Sequence, residues 1–154
     1  MPIPDFVVHL RERIGRDLLW LPGVTAVVLR GDEVLLVRRS DNGRWAPVTG
    51  IVDPGEHPAT TAVREASEET GVTCVVESLV WVGVTPVITH ANGDLAQYLD
   101  HTFRCRYVAG EAHVADDEST EVGWFPVTDL PPMEAVLVER IRRAVAPAGA
   151  VALD

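Results

Sequence analysis

The stretch GIVDPGEHPATTAVREASEETGV, residues 50–72, decides how the rest of the chain is read. Asp53-Pro54-Gly55 forms a turn signal. Pro58 suits the first position of a helix, Ala62, Val63 and Ala66 share one apolar face, and Gly71 is placed to end the helix in the left-handed region. The spacing therefore predicts a helix of about three turns over 58–70. Glu65, Glu68 and Glu69 stand at i, i+3 and i+4 and converge on one face, with Cβ atoms about 5–6 Å apart in the two pairs that involve Glu65. Each such pair repels by about 0.2–0.5 kcal/mol, and Glu68 and Glu69 also meet the negative end of the helix dipole at a further cost of about 0.3–1 kcal/mol each. Arg64 is the local counter-charge. Two readings fit: a solvated acidic face, or a site whose hard oxygens hold Mg2+ or Mn2+ and turn repulsion into binding energy. Spacing alone leaves both open.

Working outward, residues 25–29 and 34–37 are β-branched runs around Arg30-Gly31-Asp32-Glu33, a hairpin signal. Residues 38–45 read as a polar loop centred on Asn42-Gly43, leading into short extended pieces near Ala46 and at 50–52. Towards the start, Phe6, Leu10, Ile14 and Leu18 recur every four residues, which predicts an amphipathic helix over 6–19 that ends within 19–23 and packs its stripe on the domain or on a second chain, giving a homodimer. On the other side, residues 72–87 and 97–108 read as long strands separated by the turn-forming 90–94, residues 121–126 as a last short strand, and 133–145 as a closing helix. Residues 147–154, rich in Ala and Gly, are expected to fray as a flexible tail. Strands and helices mix without βαβ alternation, so the expectation is an α+β fold with a mixed β-sheet. The domain is expected over 23–146, preceded by a helical segment over 1–22.

The chain has 154 residues, 47% of them hydrophobic and 23% charged, which suits one globular domain. No apolar run reaches the ~18 residues a membrane span needs, and the start has neither a basic leader nor an apolar h-region, so a cytoplasmic location is expected. The net charge is -10, and every one of the 13 basic residues is Arg. Without Lys there is no Schiff-base chemistry, no Walker-type phosphate loop and no Ser-Lys hydrolase. The acidic surface argues against nucleic acid as a partner, since phosphate neutralisation supplies most of that affinity, and RNA decapping is disfavoured for the same reason. Cys74 and Cys105 are too few for a four-cysteine zinc site and read as packed thiols. Among the aromatics, Trp45 is the first choice for stacking a base, although an aromatic in a strand usually belongs to the core. Arg38, Arg39 and Arg44 flank the loop before Gly50 and read either as solvated loop charges or as contacts for an anion.

Gly50, five residues, Glu56, seven residues, then Arg64-Glu65-Ala66-Ser67-Glu68-Glu69-Thr70-Gly71-Val72 follow the pattern Gx5Ex7REUxEExGU, the Nudix box, with every fixed position present. The chain resembles a Nudix hydrolase over roughly residues 24 to 130. Two departures stand out: Ala66 is small for a bulky apolar U position, and Trp45-Ala-Pro-Val-Thr-Gly50 replaces the frequent WxLPGG. The resemblance implies an α/β/α sandwich and metal-dependent hydrolysis of a nucleoside diphosphate linked to another moiety, NDP-X, such as ADP-ribose or a nucleotide sugar. Alternatives within the resemblance are sanitising of oxidised nucleoside triphosphates, a non-catalytic nucleotide-binding module, and an isomerase-like carbon chemistry for which neither cysteine sits in a matching motif. It further implies Glu65 and Glu69 as metal ligands, Glu68 as a third ligand or water-positioner, and the Thr49 carbonyl as another donor. Glu56 and Arg64 would pair structurally. Asp94 and Gln97 lie in a segment similar to the substrate-side loop of members that act on ADP-ribose. The general base, which the box does not assign, falls to Glu118 in the acidic loop 115–121, with Glu68 as competitor and Glu121 read as a structural contact.

Overall fold

The computed structural model describes residues 3–154. Its elements run α1 (Asp5–Ile14), β1 (Leu19–Arg30), β2 (Glu33–Arg39), β3 (Trp45–Ala46), β4 (Val48–Ile51), α2 (Pro58–Thr70), β5 (Thr73–Val84), β6 (Ile88–Thr89), β7 (Leu95–Ala109), β8 (Ser119–Pro126) and α3 (Ala135–Val145). The sheet is mixed, as expected: β3-β2-β1-β7-β5 in order, with β4 on β1, β6 on β7 and β8 on β2, and only β1 and β7 running parallel. Helices cover both of its faces, which gives the α/β/α sandwich. Alternate residues of β1 and β2 point to opposite sides, as the pleat requires. Val24, Ala26, Val28, Leu35 and Val37 pack with Ala62 and Ala66 of α2, whereas Val27, Val34 and Leu36 pack with Ile141 and Ala144 of α3. Ala66 is fully buried in the first of these clusters, so a small residue fills the U position where helix and sheet approach closely.

The local signals around α2 hold. The helix spans Pro58–Thr70 with Pro at its start, and Gly71 closes it at φ 71°, its N–H donating to Ser67 O. The β1–β2 hairpin turns at Gly31-Asp32, between the paired Arg30 and Glu33.

Two readings need correction. The first helix stops at Ile14 rather than continuing to Leu19, because Gly15 leaves helical geometry at φ 60°. Leu19 then opens β1, where its parallel pairing with β7 begins at Leu19↔Ala96 and carries Pro22 and Gly23 inside the strand. The stripe on α1 shifts accordingly: Val7 is the buried residue, packed with Leu19 and Leu21 and flanked by Phe6 and Ile14, while Leu10 and Leu18 are exposed. The segment expected to fray is pinned at its far end. Ala152 N–H donates to Val80 O at 3.1 Å and its carbonyl accepts from Val82 N–H at 2.9 Å, because β5 ends the sheet and offers unpaired backbone groups along its edge. Both cysteines are buried thiols. Among the described residues no helix is long and apolar enough to cross a membrane.

Candidate active site

The helical period that buries Ala62 and Ala66 also buries two of the three carboxylates. Glu65 is 0% exposed and Glu69 3%, which ordinary surface glutamates never are. Burial pushes both carboxyls up to about 8, and the negative charge of Glu118 adds to the effect on Glu69. One oxygen of Glu65 accepts from Arg64 Nη1 at 3.0 Å, but the buried Oε2 has no hydrogen-bond partner. Gly50 explains how the carboxylate fits: a Cβ on that residue would stand 2.4 Å from Glu65 Cδ, so the strand lies directly over the carboxylate. Glu68 faces outward, about half exposed, and pairs with Arg64 Nη1 at 3.0 Å.

Arg64 is the hub of the loop before α2. Its Nε and Nη2 donate to the two oxygens of Glu56, each at 2.9 Å, and Nη2 lies 3.7 Å from Asp53. Glu56 also accepts from Thr61 Oγ1 at 2.7 Å. These donors, Arg64 foremost, hold the Glu56 carboxyl down to about 2. The Glu56–Arg64 pair implied by the resemblance is therefore present, and it clamps the turn 53–56 to the helix.

The far wall is the acidic loop. His113 N–H donates to Thr70 O and Ala115 N–H to Glu69 O, so the segment runs along the end of α2 and uses carbonyls that a helix terminus leaves without partners. Beyond it, Glu118 N–H donates to Asp116 Oδ1, and Ser40 donates through both N–H and Oγ to the Glu118 carbonyl. Ser40 thus ties the β2–β3 loop to the acidic loop. Its neighbour Arg39 makes a two-pronged bond to Asp41 at 2.9 and 2.8 Å and reaches Thr49 Oγ1 at 3.4 Å; the bond to Asp41 raises its pKa, and the charges of Glu118 and Glu69 add to this.

Glu65, Glu69, Thr49, Arg39 and Glu118 are brought together, with Arg64 joining Glu56 and Glu68 to Glu65. The candidates for substrate contact other than Arg39 are not. Trp45 lies on the α3 side, its ring edge-on to Phe125 at 4.8 Å within the second core cluster, so packing rather than base stacking occupies it. Arg38 binds Glu121 at 2.6 Å in a half-exposed pair, and Arg44 binds Glu134 at 3.1 Å just ahead of α3. Asp94 pairs with Arg11 of α1 at 3.4 Å, and Gln97 Nε2 donates to Thr85 O at 2.9 Å, so both hold the β6–β7 hairpin in place. Ser40 and Asp41 were missed in the sequence. Their position directly after Arg39, in a polar loop, was the only available signal.

Among the described residues no three His, Cys, Asp or Glu side chains already form a cage for a metal ion. The buried pair nevertheless fits a hard divalent cation. Its donors are carboxylate oxygens, one of them has no partner, and burial raises both carboxyls, a cost that a cation beside them would offset.

Comparison with known proteins agrees with this geometry. The family model described as NUDIX domain matches residues 19–146. The NAD-capped RNA hydrolase NudC of Pseudomonas aeruginosa is 35% identical over 137 residues, covering 88% of this chain and 44% of that protein. The chain thus spans under half the length of the curated relatives it matches. Among solved structures, a UDP-X diphosphatase superposes with a TM-score of 0.72 at 22% identity over 97% of this chain and 74% of its own. An ADP-ribose pyrophosphatase from Streptococcus suis gives 0.65 at 22% identity over 87% and 98%. At those identities the two structures establish the shared fold.

Proposed function

The chain belongs to the NUDIX family, and from that premise we propose that it hydrolyses the diphosphate bond of an NDP-X substrate with Mg2+ or Mn2+ as cofactor. The observation that carries the reading is the buried Glu65–Glu69 pair, with a partnerless Glu65 oxygen beneath Gly50. Buried carboxylates destabilise a fold unless something compensates them, and a bound cation is the compensation that also serves chemistry.

In this reading Glu65 and Glu69 hold the metal, with Glu68 and the Thr49 carbonyl as further oxygen donors. When bound, the cation neutralises phosphate charge that develops in the transition state and acidifies water. Glu118 accepts the proton of the attacking water as the water oxygen bonds to phosphorus and the bridging P–O bond breaks, releasing a nucleoside monophosphate and a phosphorylated X. The backbone bonds from Ser40, His113 and Ala115 hold the acidic loop in place for that transfer. Arg39 meets the diphosphate by exchanging Asp41 for a phosphate oxygen, a geometry its planar fork suits. Glu56 and Arg64 keep the turn and the helix in register. A chain of charge -10 attracts a polyphosphate through the metal and this one arginine rather than through its overall field.

The names of the similar proteins, NAD-capped RNA hydrolase, UDP-X diphosphatase and ADP-ribose pyrophosphatase, all describe nucleoside diphosphates joined to another group. The 35% identity to the first favours NAD-type dinucleotides as a second substrate reading, while the acidic chain without Lys weighs against the RNA itself. Two buried, unpaired thiols suit a reducing cytoplasm. A panel of ADP-ribose, UDP-sugars, NAD and oxidised nucleoside triphosphates, with Mg2+, Mn2+ or EDTA and both products weighed by mass spectrometry, tests the proposal. Release of a nucleoside monophosphate that EDTA stops is the expected result. Turnover untouched by EDTA, or no cleavage of any phosphoanhydride, refutes it.

A further inference from the structure

On the α3 side of the sheet, away from the carboxylates, the last turn of α3, the middle of β5 and the loop 146–152 enclose a cavity of about 300 Å³. Ser78, Arg104, Arg142 and Arg143 line it together with that loop. The loop is a strap. It leaves α3 at Ala146 and is pinned to β5 by the two backbone bonds of Ala152, and Trp81 Nε1 donates to the Asp154 carbonyl at 2.8 Å just beyond. Residues 146–150 are Ala, Pro and Gly, so the strap presents backbone rather than side chains.

Charge sets this place apart in an acidic protein. Arg104 and Arg106 share one carboxylate, Glu77, at 2.9 and 3.2 Å, and Arg142 and Arg143 share another, Glu139, at 2.7 and 2.8 Å. Four guanidiniums share two carboxylates here, with Asp154 the further acidic residue at the end of the strap, in a chain whose net charge is -10. Two of these guanidiniums are also held from other directions. Arg143 lies 4.3 Å over the Trp81 ring, and Arg104 Nη1 donates to Ala144 O at 3.3 Å. The exposed residues Ala148, Gly149 and Ala150 of the strap form its rim. Three guanidinium forks around one cavity form a receptor for an anion with several oxygens.

We infer that this cavity binds a small phosphomonoester, its phosphate held by Arg104, Arg142 and Arg143. The several oxygens on one phosphorus can meet three guanidiniums at once, which a single carboxylate cannot. The volume admits the phosphate with a body of about pentose size. None of this depends on the catalytic reading, since the cavity shares no residue with the carboxylate site.

The test is a titration of the full chain, isotopically labelled and in phosphate-free buffer, with inorganic phosphate and separately with ribose 5-phosphate, followed by NMR. Saturable shifts are expected at the amides of Ala148, Gly149 and Ala150 and at the Trp81 indole. Tighter binding of ribose 5-phosphate supports an ester ligand, and equal affinity overturns it in favour of free phosphate. Arg142 is the most exposed of the three arginines, so Arg142→Gln should weaken binding about 5- to 10-fold and Arg142→Glu more, with the melting temperature of the unliganded protein nearly unchanged. Shifts confined to Glu65 and Glu69, no saturation at the strap amides, or equal affinity in Arg142→Glu would overturn the inference.

Discussion

Behind the sheet, Arg140 and Asp100 are about as buried as the carboxylates in front of it, yet the two groups are built differently. Arg140 Nη1 lies 3.5 Å from Asp100 and donates to Thr25 Oγ1 at 2.8 Å, Thr25 donates on to Asp100 Oδ1 at 2.9 Å, and Thr102 donates to Asp100 Oδ2 at 2.8 Å. That network is closed: each carboxylate oxygen has a donor, and the charges cancel. In front, Glu65 keeps one oxygen without a partner, Glu69 lies in the field of Glu118, and both carboxyls are pushed to about 8. A closed buried network fastens α3 to the sheet. An open one is a cost that the isolated chain carries until a ligand arrives.

Substitutions that remove this cost should separate the two faces most sharply. Glu65→Gln and Glu69→Gln are each expected to lower kcat by at least ~10³. Metal-free, both variants should melt higher than wild type at pH 8. The folded carboxyls sit at about 8 against an ordinary 4.5, so folding retains protons and stability falls as pH climbs from 4.5 towards 8, which the amide avoids. Calorimetry beside steady-state kinetics checks both halves. Activity that persisted in the stabilised variants would leave the cluster without a function.

Glu118→Gln should lower kcat by roughly 10²–10⁴ and remove the acidic limb of the pH–rate profile, with metal affinity nearly unchanged. If Glu68→Gln produces that pattern instead, the base lies on the helix. Across the sheet, Arg140→Met leaves Asp100 buried without its counter-charge and should cost about 3–5 kcal/mol in urea denaturation, while kcat of the folded fraction stays near wild type. A closed network that also tuned catalysis would fail that second condition.

Gly50→Ala places a methyl 2.4 Å from the Glu65 carboxyl carbon, and a core overpacked in this way typically loses about 1–3 kcal/mol. Apparent metal affinity should fall with it, measured as the Mg2+ concentration for half-maximal rate. The smallest effect concerns the clamp. Glu56 titrates near 2 in the folded chain against 4.5 when free, so its stabilisation is fully present above about pH 4.5 and is lost as pH falls through 2. Glu56→Gln should cost on the order of 1–2 kcal/mol at pH 7, discounted for a partly solvated pair, and should flatten the acid limb of the stability curve. An unchanged acid limb would show that the clamp adds nothing.

Much of the candidate site was legible because it lies within one local segment. From Glu56 to Gly71 the positions are joined by a turn and a single helix, so spacing alone says that Glu65, Glu68 and Glu69 share a face, whereas the pairing of Arg64 with Glu56 came only from the resemblance. The remaining candidates depended on which way a strand residue points. Arg38 and Arg39 are neighbours, yet the first binds Glu121 and the second approaches Glu69 and Glu118, with a register shift in the pairing of β2 and β8 between them. Trp45 could have stacked a base or filled a core, and only the position of Phe125 on β8 assigns it to the core.

The sequence by itself determined the helix 58–70 with its glycine stop and the hairpin at 30–33, because each rests on signals a few residues apart; the mixed character of the sheet followed from the order of elements along the whole chain. The tertiary structure decided that β1 starts at Leu19, through parallel pairing with residues near 96, and that the 152 region adds to the edge of β5. It also decided that Glu65 is sealed beneath Gly50 with an oxygen left open, while Asp100 and Arg140 close on each other. A carboxylate on a helix face has the same local sequence whether water or a strand covers it. What covers it is set by contacts between segments far apart in the chain, and those contacts turn an acidic stripe into a buried pair.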